Sequence, residues 1–280
     1  MPRNLPASIN LPDEAENSNA ALAGDSLQYR SLLQEELREV NNLMLESHSQ
    51  TPQQVSQAIG CIINSGGKRL RPALVLLSAH LCRADVQQAI PLAAAVEMLH
   101  TATLIHDDLI DKASVRRGVK TLNARWPPSA TVLAGDIAFA WAANLATRGK
   151  NIDLIVRFCE VLEIICNGEL LQIFGEQEIL PMPPTLKRKQ IADLDACFRA
   201  YYARTFAKTA SLFALAAEVG PRLTNAPQKE IQKLQDFGKL VGQAFQIADD
   251  VLDLMGTEEL LGQPVGSDLR QCLVTLPVLR

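Results

Sequence analysis

Asp107, Asp108 and Asp111 form a D-D-x-x-D pattern at the end of an apolar run, Pro91 to Ile105. The pattern returns as Asp249, Asp250 and Asp253 after Val241 to Ala248. The lead-ins match as well, Leu104-Ile105-His106 in the first and Gln246-Ile247-Ala248 in the second. On a helix, residues four apart lie nearly in line at roughly 6 Å, so Asp107 shares a face with Asp111 and Asp249 with Asp253. Like charges at that spacing repel. A single acidic helix end is ordinarily a solvated one. Two copies, each closing an apolar segment, call for a cation to offset the repulsion. Mg²⁺ suits the task, because it joins one or two carboxylates to the phosphates of a substrate.

Cations that can meet a phosphate recur along the chain. Gly66-Gly67 permit close backbone approach, and Lys68, Arg69 and Arg71 follow before Pro72. Paired glycines and clustered cations at a helix start suit a diphosphate, although a basic surface turn has the same composition. Arg116-Arg117-Gly118 come just after the first acidic motif. They either pair with the aspartates, as surface ion pairs worth about 0–1 kcal/mol, or face them across a metal-bound diphosphate. Lys208-Thr209 lies within apolar Phe206 to Phe213, where a cation either snorkels to water or contacts phosphate. His100 precedes Asp107 by seven residues on almost the same helix face, where a packed core histidine is the ordinary alternative to a ligand. Thr103 and Ala102 are small and leave the wall beneath the carboxylates open.

Two carboxylate clusters with these basic side chains describe a site with two or three Mg²⁺ ions for a diphosphate. Metals and Lys/Arg clamps stabilise charge on a departing phosphate group. There is no G-x-x-x-x-G-K-[ST] loop for nucleotide phosphates and no Ser/His/Asp signature. With an apolar cavity below the aspartates, the combination fits ionisation of an allylic diphosphate to a carbocation in a dry pocket. That reaction needs no protein nucleophile.

The elements that must position these residues read as helices. Apolar spacing predicts helices over 27–48, over a short stretch opened by Thr51 as N-cap and Pro52 and ending near Ser65, and over 73–82 behind Pro72. Further helices are predicted over 85–111, 129–148, 151–176, 186–219 and 227–253, with a proline loop at Pro181, Pro183 and Pro184. Glu169 and Gln172 stand one turn apart in the 151–176 helix. No alternating strand of useful length is present. The expected fold is all-α, a single-domain bundle of about ten helices around a deep cavity. The chain of 280 residues, 48% hydrophobic and 21% charged, can bury a large core. A net charge of −4 argues against general nucleic-acid binding. The six cysteines form no C-x-x-C pair and read as reduced core residues of a cytoplasmic protein. The first 25 residues, with Pro2, Pro6 and Pro12, carry no apolar signal-peptide core and are expected to be disordered. The apolar window 129–147 carries only Asp136 as a charge and reads as a buried core helix, with no transmembrane segment expected.

In order and spacing, GGKRLRP, HTATLIHDDLIDKASVRRG, AGD at 134–136, GELLQ at 168–172, RTFAKTASLF, FQIADDVLD and GQPVGSDLRQCLVTLP resemble the trans-isoprenyl diphosphate synthases, or polyprenyl synthetases, of the long-chain or geranylgeranyl type. The resemblance spans 30 to 280. It implies that Asp107, Asp108 and Asp111 bind Mg²⁺ on an allylic diphosphate and that Asp249, Asp250 and Asp253 bind the remaining Mg²⁺. It implies that Arg116, Lys208, Thr209 and Gln246 hold the allylic substrate, and Lys68, Arg71, His100 and Arg117 isopentenyl diphosphate. The implied reaction is head-to-tail 1′-4 condensation by a homodimer. In this family bulky side chains four and five residues before the first Asp close the cavity floor. Thr103 and Ala102 hold those places, which implies a product of at least four isoprene units. Gln263 replaces a usual lysine and Cys272 a usual glycine, and the chain stops at Arg280 where the family usually continues through further helices. The domain is therefore expected over 26–280 without those helices. Two other readings use the same residues. One is a non-catalytic or regulatory subunit of a heteromeric prenyl synthase. The other is a class I terpene cyclase, which shares the first acidic motif but normally lacks a second D-D-x-x-D.

Overall fold

The computed structural model describes residues 31–46, 51–116, 118–179, 194–257, 265–270 and 275–279. The expected N-terminal tail, the proline loop, Arg117, Gln263 and Cys272 lie outside the described residues. In chain order the elements are α1 (Gln34–Met44), α2 (Gln53–Asn64), α3 (Leu70–Leu81), α4 (Val86–Ile110), β1 (Val115–Arg116), β2 (Val119–Lys120), α5 (Pro128–Arg148) and α6 (Ile152–Ile179). They continue as α7 (Leu194–Thr205), a π-helical turn (Phe206–Ala210), α8 (Ser211–Leu223), α9 (Gln228–Met255), α10 (Ser267–Arg270) and α11 (Leu276–Leu279). The all-α expectation holds. The strands are two residues each and pair antiparallel, with Arg116 opposite Val119.

Helix α4 is apolar on all sides, and such a helix belongs at the centre of a core. Ala89 to Leu99 are buried without interruption, as are Thr101, Ala102 and Ile105. Asp85 caps its start by accepting from the Gln87 amide at 3.0 Å. Helices α3, α5 and α8 pack around it. At its end Lys112 takes a left-handed φ of 52°. The Ala113 amide then reaches the Asp108 carbonyl at 2.9 Å and the Lys112 amide the Leu109 carbonyl at 3.2 Å. This reversal stops the helix at Asp111 and leaves the first acidic motif on its last turn.

Several boundaries differ from the sequence reading. Thr51 is not the cap of α2. Pro52 is, with an extended ψ of 134° and no side-chain cap bond. Helix α3 begins at Leu70 rather than behind Pro72, because Arg69 turns the chain with φ 52° and ψ 36°. Pro72 then falls in the first turn, where its missing N–H is not needed. The single helix expected over 186–219 is interrupted in its described part by the π-helical turn and runs on to Leu223. The apolar window of α5 is only 44% buried, since its outer face carries Val132 and Leu133, the latter 61% exposed. Both α4 and α5 are long and apolar enough to cross a membrane by length and composition. Cys61, Cys159 and Cys166 are exposed and free rather than core, because they fall on the outward faces of α2 and α6.

Two contacts fix the helices that carry the second motif. An added Cβ at Gly238 would lie 2.4 Å from the Phe213 carbonyl oxygen, and one at Gly242 would lie 2.6 Å from Ala210 Cα. These glycines let α9 touch the backbone of α8 and of the π-turn. Helix α6 is tied to α8 by Glu218, fully buried, which accepts from Arg157 Nε at 2.7 Å and from Arg222 Nε and Nη2 at 2.9 and 2.8 Å. Since the obstacle at Gly238 is backbone, Gly238→Ala should cost about 1–3 kcal/mol of stability. It should also displace Gln246 and Asp250 and lower activity. A urea midpoint equal to that of the wild type would contradict this packing.

Candidate active site

The last turn of α4, the π-turn, α6 and the last turns of α9 meet at one end of the bundle. Lys208 Nζ lies 2.9 Å from Glu169 Oε1 of α6 and within electrostatic reach of Asp107 and Asp111. Its neighbour Thr209 is buried and donates to Gln246 Oε1 at 2.6 Å. Gln246 Nε2 donates to Asp250 Oδ1 at 2.8 Å, and Tyr201 Oη donates to Asp250 Oδ2 at 2.7 Å. Two consecutive residues of the π-turn thus serve the two acidic motifs, Lys208 the first and Thr209 the second. A π-helical turn inserts one extra residue, and such turns are frequent at functional sites.

The six aspartates divide into two kinds. Asp108 is 7% exposed and accepts from Arg116 Nε at 2.6 Å. Asp250 is 4% exposed, and both its oxygens accept from protein donors. Asp111 and Asp249 are exposed, and Asp107 and Asp253 half-buried. The arrangement gives Asp250 a different local role from Asp249 and Asp253, with which the sequence pattern groups it. Arg116 takes the pairing alternative, held beside Asp108 by the short β ribbon.

The electrostatics follow from burial and geometry. Asp107 is pushed up to about 6, first by loss of water, then by Glu169 and Asp111, against the pull of Lys208 and Arg116. Asp108 and Asp111 are raised for the same leading reason. Burial works against the Lys208 charge, but Asp107, Glu169 and Asp111 outweigh it and raise its pKa. Burial, then the Asp250 carboxylate, raises the Tyr201 phenol, which stays a donor. Both motifs end their helices, where the negative pole of the helix dipole adds to the repulsion.

This environment fits a divalent cation, which would offset the desolvation and mutual repulsion that raise these carboxyl groups. Among the described residues no group of three or more His, Cys, Asp or Glu side chains is gathered closely enough to hold a metal ion by itself. Mg²⁺ does not require one, since it keeps waters and takes phosphate oxygens alongside one or two carboxylates. Of the six, Arg116, Gln246 and Tyr201 engage the two buried ones, Asp108 and Asp250, and the less buried Asp107, Asp111, Asp249 and Asp253 would be the residues to hold such an ion.

Below this end, Arg71 sets its guanidinium over the Phe213 ring at 4.7 Å, and Phe213 meets Phe245 of α9 at 5.5 Å. Lys68 is exposed on the loop before α3, and His100 is half-buried on α4. The pair below Asp107 divides. Thr103 is half-buried in line with Asp107 and donates to the His100 carbonyl at 2.8 Å. Ala102 is 0% exposed, so it is not part of an open wall. It lies in line with His106, whose ring meets the Val132 carbonyl at 3.1 Å and Phe139 of α5 at 5.2 Å. Reading by residue type did not assign Glu169, Tyr201 or Glu97, and it grouped Arg69 with the phosphate-facing cations, whereas its guanidinium is bonded to Glu97, Asn41 and the Ile63 carbonyl. The signal for Glu97 was a lone carboxylate within the apolar run of α4, whereas Glu169 is one of several acidic residues on α6. Arg69 and Tyr201 carried no local signal that set them apart.

Compared with known proteins, the chain matches the family described as polyprenyl synthetase over residues 52–280. It is 38% identical over 218 residues to the heptaprenyl diphosphate synthase component 2 of Geobacillus stearothermophilus, covering 78% of this chain. The chain spans 63% of that relative's length. It is 33% identical over 248 residues to the octaprenyl diphosphate synthase of Escherichia coli, covering 89% of this chain and 72% of that protein. The crystal structure of polyprenyl synthase from Caulobacter crescentus CB15, complexed with calcium and isoprenyl diphosphate, superposes with a TM-score of 0.78 at 33% identity. That match covers 91% of this chain and 73% of the other.

Proposed function

The chain belongs to the polyprenyl synthetase family, and from that premise we propose that it is a Mg²⁺-dependent prenyltransferase. It condenses isopentenyl diphosphate with an allylic diphosphate, head to tail and trans, into a linear polyprenyl diphosphate of at least four isoprene units. The observation that carries this reading is the π-turn, where Lys208 sits against Asp107, Asp111 and Glu169 while Thr209 bonds Gln246. One diphosphate placed there meets both motifs at once.

Two or three Mg²⁺ ions bound there would neutralise the charge that develops on the departing diphosphate. Asp107, Asp111, Asp249 and Asp253 would hold those ions, and Asp108 and Asp250 are fixed by Arg116, Gln246 and Tyr201. Lys208 donates to the leaving oxygens as the allylic C1–O bond breaks, while the Thr209 hydroxyl, donating to Gln246, keeps that side chain on Asp250. Lys68, Arg71 and His100 hold isopentenyl diphosphate with its double bond toward the cation. The double bond's electrons form the new C–C bond, and a proton then passes to the released diphosphate. Core helix α4 keeps water from the carbocation.

Product length tests the reading of the cavity. Thr103→Phe should shorten the product by at least one isoprene unit, because Thr103 lies one turn below Asp107. Ala102→Phe should instead overpack α4 against α5 and cost about 1–3 kcal/mol. Unchanged product length in Thr103→Phe would reject the wall.

The exposed apolar faces of α5 and α6, with Leu133, Leu171 at 73% and Phe174 at 63% exposed, support a homodimer that buries them. Free exposed thiols support action in a reducing compartment, the cytoplasm. A second reading comes from the relative named as component 2, since such a protein works as part of an assembly. It predicts that the purified chain binds an allylic diphosphate with Mg²⁺ but elongates it only when a partner is added.

A further inference from the structure

The three cations from Gly66 through the first turn of α3 do not share one environment. Lys68 is exposed, and Arg71 lies over the Phe213 ring. Arg69 instead turns inward from a left-handed backbone, φ 52° and ψ 36°, at the start of α3. That conformation is disfavoured for a residue with a Cβ, so its side chain must be held. It donates through Nη1 to Glu97 Oε1 of α4 at 2.9 Å. Through Nη2 it donates to Asn41 Oδ1 of α1 at 3.2 Å and to the Ile63 carbonyl of α2 at 2.5 Å. One guanidinium therefore pins the loop to three helices.

Glu97 makes the arrangement more than a surface ion pair. Its side chain is 7% exposed, within the apolar run of α4, and its second carboxylate oxygen is buried without a hydrogen-bond partner. A buried pair of this kind gains little over apolar packing, but removing one member leaves a buried charge exposed to no solvent. What it does fix is height along α4. Glu97 lies one turn before His100 and ten residues, about 15 Å, before Asp107.

We propose that Arg69 and Glu97 are a positioning pair for the isopentenyl diphosphate site. They hold Lys68 on its loop and Arg71 in the first turn of α3 level with His100 and at a set distance from the first acidic motif. Neither contacts substrate. This rests on the function proposed above and extends it to two residues outside the diphosphate contacts.

The test measures equilibrium binding of isopentenyl diphosphate, and separately of an allylic diphosphate with Mg²⁺, together with the melting temperature. In Arg69→Met, affinity for isopentenyl diphosphate should fall about 10–100-fold, the loss expected when a charged hydrogen bond to the diphosphate is misplaced. Allylic affinity should stay close to that of the wild type. Arg69→Lys should recover part of the loss, and Glu97→Gln should reproduce it. The double variant Arg69→Leu/Glu97→Leu separates positioning from stability, because removing both charges restores the melting temperature. It should leave isopentenyl diphosphate binding weak. Restored binding in that double variant would overturn the proposal, as would equal losses for both substrates in Arg69→Met. Wild-type protein that binds no isopentenyl diphosphate, yet binds the allylic substrate, would overturn the functional reading itself.

Discussion

Asp107→Asn should lower kcat/KM by about 10³-fold or more and, at neutral pH, raise the stability of the metal-free protein. The activity loss follows from removing a carboxylate that holds the charge countering the departing diphosphate, where single electrostatic contacts are worth about 10²–10³ in rate. The stability gain follows from the sign of the shift. Asp107 sits at about 6 in the folded chain against 3.8 as its ordinary value, chiefly because it is desolvated. The folded state therefore holds the proton more tightly than the unfolded one. Stability falls as pH rises from about 4 to 6, and the full cost is present above that window. Asparagine carries no such charge and should recover about 1–3 kcal/mol at pH 7.5 without metal. At pH 4 the variant and the wild type should differ little. Thermal melts in chelator at both pH values check the pattern. Equal melting temperatures at pH 7.5 would mean that Asp107 is not under electrostatic strain.

Lys208→Met should produce the opposite sign on stability with the same sign on activity. Its ammonium is the cation shared by Glu169, at 2.9 Å, and by Asp107 and Asp111. Without it, three carboxylates face one another at the pole of α4 that already carries negative dipole charge. The metal-free variant should be less stable than wild type above pH 6, and its deficit should shrink as the carboxylates protonate. The rate of elongation should fall about 10²–10³-fold, since a donor to the leaving diphosphate is lost. Lys208→Arg keeps the charge and should retain most of the stability. A Lys208→Met variant as stable as wild type at pH 7.5 would show that the lysine merely extends into solvent.

The chemistry was legible where it depended on helical spacing. The repeat of Asp107/Asp111 and Asp249/Asp253 at i and i+4, each after an apolar segment, located both acidic helix ends. The apolar run before the first one located the central helix. What spacing does not carry is which neighbour of an exposed residue turns inward. Asp249 and Asp250 are adjacent in sequence, yet one is exposed and the other accepts from Tyr201 and Gln246. That outcome depends on where Gly238 and Gly242 let α9 cross α8 and the π-turn. Ala102 and Thr103 divide in the same way, one toward α5 and the other in line with Asp107. Likewise Lys68, Arg69 and Arg71 look equivalent until a left-handed turn sends the middle one to Glu97. The π-turn has no local signature, because one extra residue in a turn leaves the apolar pattern on either side intact. The cysteines misled for a related reason. An apolar neighbourhood reads as core whether a helix face is covered by the same chain or left open.

The central claim is that one diphosphate site, built by two acidic helix ends joined through Lys208 and Thr209, elongates an allylic diphosphate. The most direct measurement incubates the purified chain with isopentenyl diphosphate and farnesyl diphosphate, with Mg²⁺ or with chelator, and reads product length. Mg²⁺-dependent formation of linear polyprenyl diphosphate of at least four isoprene units is the predicted result. A cyclised hydrocarbon formed without incorporation of isopentenyl diphosphate would contradict it, as would elongation unchanged in chelator.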